Sequence, residues 1–249
     1  MSGRRLGLGL VAAASFCVPS ARAETVNCTA ITALPYTISA SGIYCLTGDI
    51  NINIAGGSAI DIQANSVIVD LNGHKIGNLA AGPATVASGI HAASRQNITI
   101  KNGTIRGFYS GIELTDPVSQ GHVIEGVRLG QNTVQGIYVE GRGLIIRNNQ
   151  VVATGGTSLS ANANAYGIRL VGLYNRVINN DVITVTKQGT GQSIGIFFGS
   201  IPDLGLAVNN RITGADVGIS MQDQTKFRDN VTTGVTTPYQ GGINVGNNN

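Results

Sequence analysis

Short apolar segments recur along this chain with the same internal order. The stretch Ser88–Leu114 contains one cycle, in which apolar residues occur at Gly89-Ile90, around Ile98–Ile100 and at Ile105, before Gly111-Ile112 begins the next cycle. Self-similarity at a period of roughly 20 to 50 residues indicates a repeat architecture. The spacing of the apolar residues within a cycle predicts short strands, and no helical period is present.

A Gly-Ile pair marks the start of most cycles. The copies are Ala59-Ile60, Gly89-Ile90, Gly111-Ile112, Gly136-Ile137, Gly167-Ile168, Gly195-Ile196, Gly218-Ile219 and Gly242-Ile243. A six-residue frame follows most copies, with two turn residues between apolar ends; the frames start at Leu71, Ile100, Ile124, Ile146, Val177, Ala207 and, in degraded form, Phe227. Asn and Gly tolerate a left-handed backbone, so each frame predicts a bend between two strands. Each cycle is expected to hold three strands and three corners.

The Gly-Ile pair followed by the Asn corner resembles the right-handed parallel β-helix (PbH1) repeat of the pectate-lyase-like superfold, over roughly Ala59–Asn249. The resemblance implies an all-β, single-stranded, right-handed parallel β-helix of three-strand coils with an N-terminal cap. We expect about 7–8 coils, stacked about 4.8 Å apart. In this superfold the Gly-Ile strand is the first strand of a coil, and the Asn corner lies between the second and third strands.

The N-terminal segment has the features of a secretory signal. Arg4 and Arg5 precede an apolar run, and Ala21-Arg22-Ala23 forms an A-x-A cleavage site. We therefore assign residues 1–23 to a signal peptide and expect a secreted or periplasmic protein. Residues 24–57 are interpreted as an N-terminal cap with a partial first coil, and residues 58–249 as the β-helix with a C-terminal cap.

Loss of this segment changes the charge balance. The full chain has 16 basic and 13 acidic residues, and removal of Arg4, Arg5 and Arg22 leaves 13 of each. No cluster of Lys and Arg remains, so the sequence gives no electrostatic support for a nucleic-acid partner. No stretch after the signal is long and apolar enough for membrane insertion. We expect a monomer.

Two cysteines remain after the signal, Cys28 and Cys45. In an oxidising compartment they are expected to form one disulfide, which contributes about 3 kcal/mol in the chain-entropy model. No metal site is predicted, because two thiols without a nearby His do not make a zinc site. Calcium stays open as a cofactor, although no acidic cluster has the spacing of a calcium loop; the acidic residues considered for it are Asp61, Asp116, Glu140 and Asp223.

The polar residues of the corners are interpreted as structural. Asn side chains on successive coils can hydrogen-bond along a ladder and serve the bend; the residues concerned are Asn102, Asn148, Asn149, Asn179, Asn180, Asn209, Asn210 and Asn230. His74 falls in the same corner and is expected to be structural. His122 lies near the start of a second strand and is expected to be solvated.

Three long corners precede first strands, at Gly77–Ser88, Ala153–Tyr166 and Thr184–Ser193. Insertions in repeat proteins map to loops on one face, often the binding face. These loops are expected to wall a groove whose floor is the sheet of Gly-Ile strands.

The strand period of two indicates which side chains line that floor. If each Ile points inward, the next residue points outward, which selects Asp61, His91, Glu113, Tyr138, Arg169, Phe197, Ser220 and Asn244. The second outward position selects Gln63, Ala93, Thr115, Glu140, Val171, Gly199 and Gln222. Carboxylates, an imidazole, an arginine and aromatic rings are the groups that bind and process sugars.

Three functions compete for this face, and in the first two the partner is a polysaccharide. A lyase or epimerase would use Arg169 to neutralise a uronate carboxylate and Tyr138 or His91 to take the adjacent proton. A glycoside hydrolase would use Glu113 and Glu140, about 8 Å apart, which fits an inverting carboxylate pair. The third function is a non-catalytic glycan-binding module or structural rod. The predicted catalytic residues are His91, Glu113, Tyr138 and Arg169, and the predicted substrate-binding residues are Asp61, Glu140, Phe197 and Gln222.

Catalytic signatures of the superfold are absent. Gly121-His122-Val123 lacks the last Gly of the Gly-His-Gly found in polygalacturonases, whose Asn-Thr-Asp and Asp-Asp motifs are also missing. Asp116-Pro117-Val118-Ser119 has Val118 where the Asp-Pro-His-Asp of mannuronan epimerases has its His. The Arg-x-Pro-x-x-Arg of pectate lyases is missing as well. The resemblance therefore predicts the fold and a link to carbohydrate, without selecting a reaction.

Overall fold

The chain folds into a parallel β-helix. The computed structural model describes residues 27–199, 204–222 and 224–249, so the predicted signal peptide lies outside the described residues. Over these ranges the chain forms strands, with a short 3-10 helix at Leu79–Ala81 and no α-helix. The predicted all-β fold is confirmed. None of the helical segments within these ranges has the length and apolar character needed to cross a membrane.

The strands in chain order are β1 Thr29–Ile31, β2 Tyr36–Ile38, β3 Gly42–Leu46, β4 Ile50–Asn51, β5 Ser58–Ile62, β6 Val67–Asp70, β7 Lys75–Gly77, β8 Ser88–Ala93, β9 Thr99–Arg106, β10 Ser110–Thr115, β11 Val123–Gly130, β12 Gln135–Glu140, β13 Ile145–Arg147, β14 Gln150–Gly155, β15 Ala165–Val171, β16 Arg176–Ile178, β17 Asp181–Thr186, β18 Ser193–Phe198, β19 Leu206–Val208, β20 Arg211–Ser220, β21 Lys226–Arg228, β22 Val231–Gln240 and β23 Ile243–Asn244.

These strands stack in three parallel sheets. The first-strand sheet runs through β2, β5, β8, β10, β12, β15, β18 and the C-terminal halves of β20 and β22. The second-strand sheet runs from β1 through β3, β6, the first halves of β9 and β11, β13, β16, β19 and β21 to β23. The third-strand sheet runs from β4 through β7, the second halves of β9 and β11, β14 and β17 to the first halves of β20 and β22.

The interior consists of stacked aliphatic columns. The isoleucines of the first seven copies of the pair, from Ile60 to Ile219, are fully buried and lie one above another in register, for example Ile112 between Ile90 and Ile137. Close packing between coils requires the glycine in six of these copies, at Gly89, Gly111, Gly136, Gly167, Gly195 and Gly218, whereas Ala59 occupies this position in the first copy. A Cβ added to Gly136 would lie 2.7 Å from the carbonyl oxygen of Gly167 and 2.6 Å from Val151 Cγ1. The glycine of the Gly-Ile repeat is therefore explained by a close contact with the next coil, which recurs along the helix.

The corners between the second and third strands contain the predicted asparagine ladder. Asn149, Asn180, Asn210 and Asn230 are buried, and the side-chain amide of each donates to the side-chain oxygen of the next, at 2.9–3.0 Å. A parallel, more exposed row joins Asn148, Asn179 and Asn209, which all adopt positive φ. The structural interpretation of these residues is confirmed.

The N-terminal end is closed by the predicted disulfide. Cys28 and Cys45 are bonded, with their Cα atoms 5.9 Å apart. Cys28 directly precedes β1, and Cys45 lies in β3, which pairs with β1. β2, β3 and β4 form the first complete coil and supply one strand to each of the three sheets.

The C-terminal end departs from the predicted pattern. Gly242-Ile243 was expected to begin another first strand and to place Asn244 on the outward face. Instead β23 pairs with β21 in the second-strand sheet, and Ser220 is followed in the first-strand sheet by Gln240. Thr237–Gln240, which has no Gly-Ile pair, provides the last first strand, so the prediction for Asn244 is wrong.

Candidate functional site

The outward residues of the first-strand sheet form one continuous column. The register places Asp61, His91, Glu113, Tyr138, Arg169 and Phe197 on six successive coils, each beside the next. Neighbours in this column are about 4.8 Å apart along the axis of the helix. All six side chains are half-buried, because the isoleucine before each one points into the core. We call this set the first-strand column.

A carboxylate and an imidazole pair at one end of the column. Asp61 Oδ1 lies 2.8 Å from His91 Nδ1, and Gln63 Nε2 donates to Asp61 Oδ2 at 2.8 Å. Burial raises the pKa of Asp61, but the hydrogen bonds from His91 and Gln63 outweigh it, so the pKa lies below its ordinary value. An ionised Asp61 accepts a hydrogen bond from Nδ1–H of His91, which leaves Nε2 of the neutral imidazole free of a proton and able to act as an acceptor.

Aromatic rings and an arginine lie at the other end. The Arg169 guanidinium carbon lies 4.6 Å from the centre of the Tyr138 ring and 5.2 Å from that of Tyr166. The Tyr166 ring is in turn 5.5 Å from the Phe197 ring, at an angle of 55°. Asn164 Nδ2 donates to the Tyr166 hydroxyl at 3.1 Å. The guanidinium is therefore held between two phenol rings.

Sequence reasoning missed Tyr166. Strict alternation along β15 would place its side chain on the interior side with Ile168. Tyr166 lies where the chain enters β15 from a long corner, and there its ring contacts the outward residues Arg169 and Phe197. A tyrosine directly before a Gly-Ile pair and after a long insertion is the signal that could have identified it.

The pKa of Tyr138 is raised. Burial is the largest cause, and the charges of Glu140 and Glu113 add to it, while the charge of Arg169 acts in the opposite direction. The phenol is therefore protonated at neutral pH, and its hydroxyl can donate a proton or a hydrogen bond. Tyr138 could act as a base only after its hydroxyl loses its proton, which requires an increase in pH.

The two predicted acid residues occupy different surroundings. Ser88 Oγ donates to Glu113 Oε2 at 2.5 Å, and the backbone N–H of Asp116 donates to Glu140 Oε2 at 3.4 Å. Glu140 is two residues beyond Tyr138, which pairs with Glu113; this offset corresponds to a separation of about 8 Å. Glu140 also borders a depression of about 410 Å³ at the C-terminal edge of the sheet, with Pro117, Arg142, Val171 and Leu173 among its lining residues.

The four predicted catalytic residues do not converge on one point. His91 and Arg169 are three coils apart in the column, which corresponds to about 14 Å. One sugar ring cannot contact both side chains. The column therefore contains two half-sites, with the Asp61–His91 pair at one end and the Tyr138–Arg169 pair at the other, and Glu113 between them.

The three long corners form a single wall at the N-terminal edge of the first strands. They comprise residues 78–87, 156–164 and 187–192 and bond to one another: Ser158 N–H donates to the Pro83 carbonyl at 3.0 Å, and the Gln188 side chain donates to the Thr157 carbonyl at 3.2 Å. The expected groove thus has one wall of loops. Gln222 lies outside the column, in a corner after β20, where its carbonyl accepts from Thr225 N–H at 3.2 Å.

The prediction for His122 is wrong. Its side chain is 1 % exposed, and Nδ1 accepts the backbone N–H of Ile98 at 3.1 Å. Burial lowers the pKa of His122 to about 4. His122 is therefore neutral at physiological pH and belongs to the structural core. His74, expected to be structural, lies 3.7 Å from Asp49 through its Nδ1.

Within the described ranges, no group of three or more His, Cys, Asp and Glu side chains is arranged to hold a metal ion. Asp223, one of the residues considered for calcium, lies outside those ranges. No protein-family model matches the chain, and a search of curated proteins found no match either. Function is therefore inferred from the residues of the first-strand column and their surroundings.

Proposed function

We propose that this protein is a secreted or periplasmic β-helix of the pectate-lyase-like superfold that binds a polysaccharide along its first-strand column. An extended glycan lying along the axis of the helix would meet one outward side chain per coil. The disulfide between Cys28 and Cys45 is compatible with an oxidising compartment. The loop wall would hold the glycan on one side of the column.

The observation that carries this proposal is the position of Arg169 between the rings of Tyr138 and Tyr166. Aromatic rings present an apolar face to a sugar ring and a polar edge to its hydroxyls. The guanidinium is always charged and matches the geometry of a carboxylate. A fixed arginine flanked by tyrosines, with Phe197 on the next coil, suits an acidic sugar followed by further sugar rings.

The Tyr138–Arg169 half-site is best suited to abstraction of a proton from a uronate sugar. Arg169 would neutralise the carboxylate of the sugar, which makes the adjacent C–H more acidic. Tyr138 is the neighbouring proton-transfer group, whereas His91 lies about 14 Å from Arg169 and is out of reach of the same sugar. Because burial raises the pKa of Tyr138, proton abstraction by its phenolate would accelerate as the pH rises.

The Glu113–Glu140 pair supports a second candidate, hydrolysis of a glycosidic bond. An offset of one coil and two residues places their Cα atoms about 8 Å apart, and carboxyl groups at the same spacing would lie within the range for an inverting pair. The Ser88 hydroxyl bonds to Glu113, and a backbone N–H bonds to Glu140, so the two carboxyl groups differ in their surroundings. An inverting hydrolase needs one acid and one base.

The test is a screen of residues 24–249 for binding and turnover of pectin, polygalacturonate, alginate and neutral glycans, with and without calcium. Unsaturated uronate would be followed by ultraviolet absorbance, reducing ends by a colorimetric assay and epimerisation by NMR. Arg169→Ala should weaken binding of acidic glycans at least tenfold, and Tyr138→Phe should preserve binding but abolish lyase or epimerase turnover. Arg176→Gln removes one exposed charge from the second-strand sheet and serves as the control.

The outcomes separate the candidates. Reducing ends without new absorbance, lost in Glu113→Gln and Glu140→Gln, would assign hydrolysis. Binding without turnover would assign a non-catalytic glycan-binding module. If no acidic or neutral glycan binds, or if Arg169→Ala binds as tightly as the parent protein, the first-strand column is not the binding site.

A further inference from the structure

A second groove lies on a different face of the molecule. Two depressions of about 430 and 450 Å³ adjoin on the third-strand sheet, and both are lined by Thr104 and Arg128. The first extends to the corner residues Asn72, Asn102 and Gly126. The second extends across Arg106 and Gly130 to Val152. We call this surface the third-strand groove; it crosses several coils and contains none of the residues of the first-strand column.

Arg106 lies in this groove between two glycines. Its register partners on the coils before and after are Gly77 and Gly130. A Cβ added to Gly130 would meet only the Val152 carbonyl oxygen, at 3.9 Å, so the space beside Arg106 is open on that coil. On the other coil, Arg106 Nε lies 3.9 Å from where a Cβ of Gly77 would be. Asn51, the register partner of Gly77, extends its side chain over that glycine, so Arg106 is uncovered only on the Gly130 side of its row.

Arg128 adds a second cation on the next coil. It pairs in register with Thr104, two residues before Arg106, so the two arginines are offset by one coil and two residues. This offset places their Cα atoms about 8 Å apart. Arg128 is exposed and Arg106 is half-buried. Thr104, Asn102 and Gln131 line the same groove and provide hydroxyl and amide groups.

The two arginines differ from other cations of the third-strand sheet. Lys75 forms an ion pair with Asp49, and Arg211 with Asp181. Within the part of the chain that the structure describes, no carboxylate forms an ion pair with Arg106 or Arg128, and Arg106 Nε is buried without a hydrogen-bond partner. No Asp or Glu lines either depression. Two unneutralised guanidinium groups on adjacent coils favour an anionic ligand.

We propose that the third-strand groove binds an anionic carbohydrate chain through its carboxylate or sulfate groups. Arg106 and Arg128 pair with the anionic groups, and the groove extends over enough coils for several sugar rings. The amide and hydroxyl groups around the arginines bond to sugar hydroxyls. This site is independent of the first-strand column and provides a second attachment surface on the same rod.

The test uses the chain without its signal segment, residues 24–249, with dextran sulfate, polygalacturonate and uncharged dextran as probes in isothermal titration at low and moderate salt. The Arg169→Ala background removes the contribution of the first-strand column. In that background, Arg106→Gln and Arg128→Gln should each weaken binding of at least one anionic polymer tenfold or more. Arg176→Gln, which removes an exposed charge elsewhere, should change it less than twofold. Melting curves verify that each variant is folded.

The comparison of polymers identifies the anion. Preference for dextran sulfate assigns sulfate, and preference for polygalacturonate assigns carboxylate. The proposal would be overturned if Arg106→Gln, Arg128→Gln and Arg176→Gln weaken binding equally, or if uncharged dextran binds. It would also be overturned if inorganic sulfate binds as tightly as the anionic polymers. If acidic glycan binding disappears in Arg169→Ala alone, the third-strand groove proposal fails while the first-strand proposal stands.

Discussion

The carboxylate of Asp61 lies 2.8 Å from Nδ1 of His91, its register neighbour on the next coil. The pair joins two consecutive turns of the helix through side chains on the outer face. Gln63 holds the other oxygen of the carboxylate at 2.8 Å. Because the hydrogen bonds keep the pKa of Asp61 low against the effect of burial, the carboxylate is ionised over the physiological range and orients the imidazole.

Replacement of Asp61 should change the tautomer of His91. In the native protein the neutral imidazole should carry its proton on Nδ1, since ionised Asp61 only accepts hydrogen bonds. Asp61→Asn should reduce the Nδ1–H population, as read from the ¹⁵N shifts of the imidazole at alkaline pH. Gln63→Ala leaves the carboxylate in place and serves as the control. An unchanged tautomer in Asp61→Asn would contradict the assigned role of Asp61.

His122 should make stability fall in mildly acidic solution. Its folded-state pKa, about 4, lies below the ordinary value of 6.5, so the folded state disfavours the protonated form. The associated stability is complete above pH 6.5 and decreases as the pH falls towards 4, by roughly 2–3 kcal/mol at pH 4.5. Asp61, Asp49 and Asp216 also have lowered pKa values, but the stability linked to an ionised Asp is lost only below about pH 3.8. These residues therefore do not account for a loss between pH 6.5 and pH 4.5.

The measurement is chemical unfolding at pH 7 and pH 4.5. His122→Asn keeps a hydrogen-bond acceptor near the Ile98 N–H but does not titrate, so its stability should change less between the two values. His74→Asn is the matched control, because His74 is partly exposed beside Asp49, and it should keep the full loss. Equal pH dependence in the parent protein and His122→Asn would exclude His122 as the cause.

Close contacts between coils should make the Gly-Ile glycines intolerant of a methyl group. Gly136→Ala would place a Cβ 2.7 Å from the Gly167 carbonyl oxygen, which belongs to the rigid backbone of the next coil. We expect a loss of about 1–3 kcal/mol. Gly48→Ala is the control, because a Cβ there has no neighbour within 4 Å; it should be neutral or slightly stabilising. Thermal unfolding compares the two, and equal melting temperatures would refute the contact argument.

The buried asparagine row should contribute more than the exposed one. Asn180→Ala removes an acceptor for the Asn149 N–H and a donor to the Ile146 carbonyl, and both groups lie in the interior. The expected loss is about 3 kcal/mol, because unpaired buried polar groups cost about 1–3 kcal/mol each. Asn179→Gly keeps the positive φ of its corner and loses only more exposed bonds, so we expect about 1 kcal/mol or less. Urea unfolding measures both losses of stability, and a larger loss in Asn179→Gly than in Asn180→Ala would contradict the prediction.

The repeat, the fold class and the column of outward residues could be read from the sequence. The alternation of a β-strand places every second residue on the same side, so buried isoleucines locate Asp61, His91, Glu113, Tyr138, Arg169 and Phe197 on one face. The asparagine corners follow from the left-handed backbone that those bends require. These properties are local, and each coil repeats them.

Contacts that depend on where the chain turns could be identified only from the tertiary structure. The sequence placed Asn244 on the first-strand face because of a Gly-Ile pair, but the final coil supplies its first strand from Thr237–Gln240. It also left His122 in solvent, whereas the neighbouring coil buries the ring against Ile98 N–H. The contact of Tyr166 with Arg169, and the position of Arg106 beside Gly77 and Gly130, arise from residues brought together by the stacking of successive coils. Corner geometry and register between coils determine such contacts, and neither follows from the two-residue period of a strand.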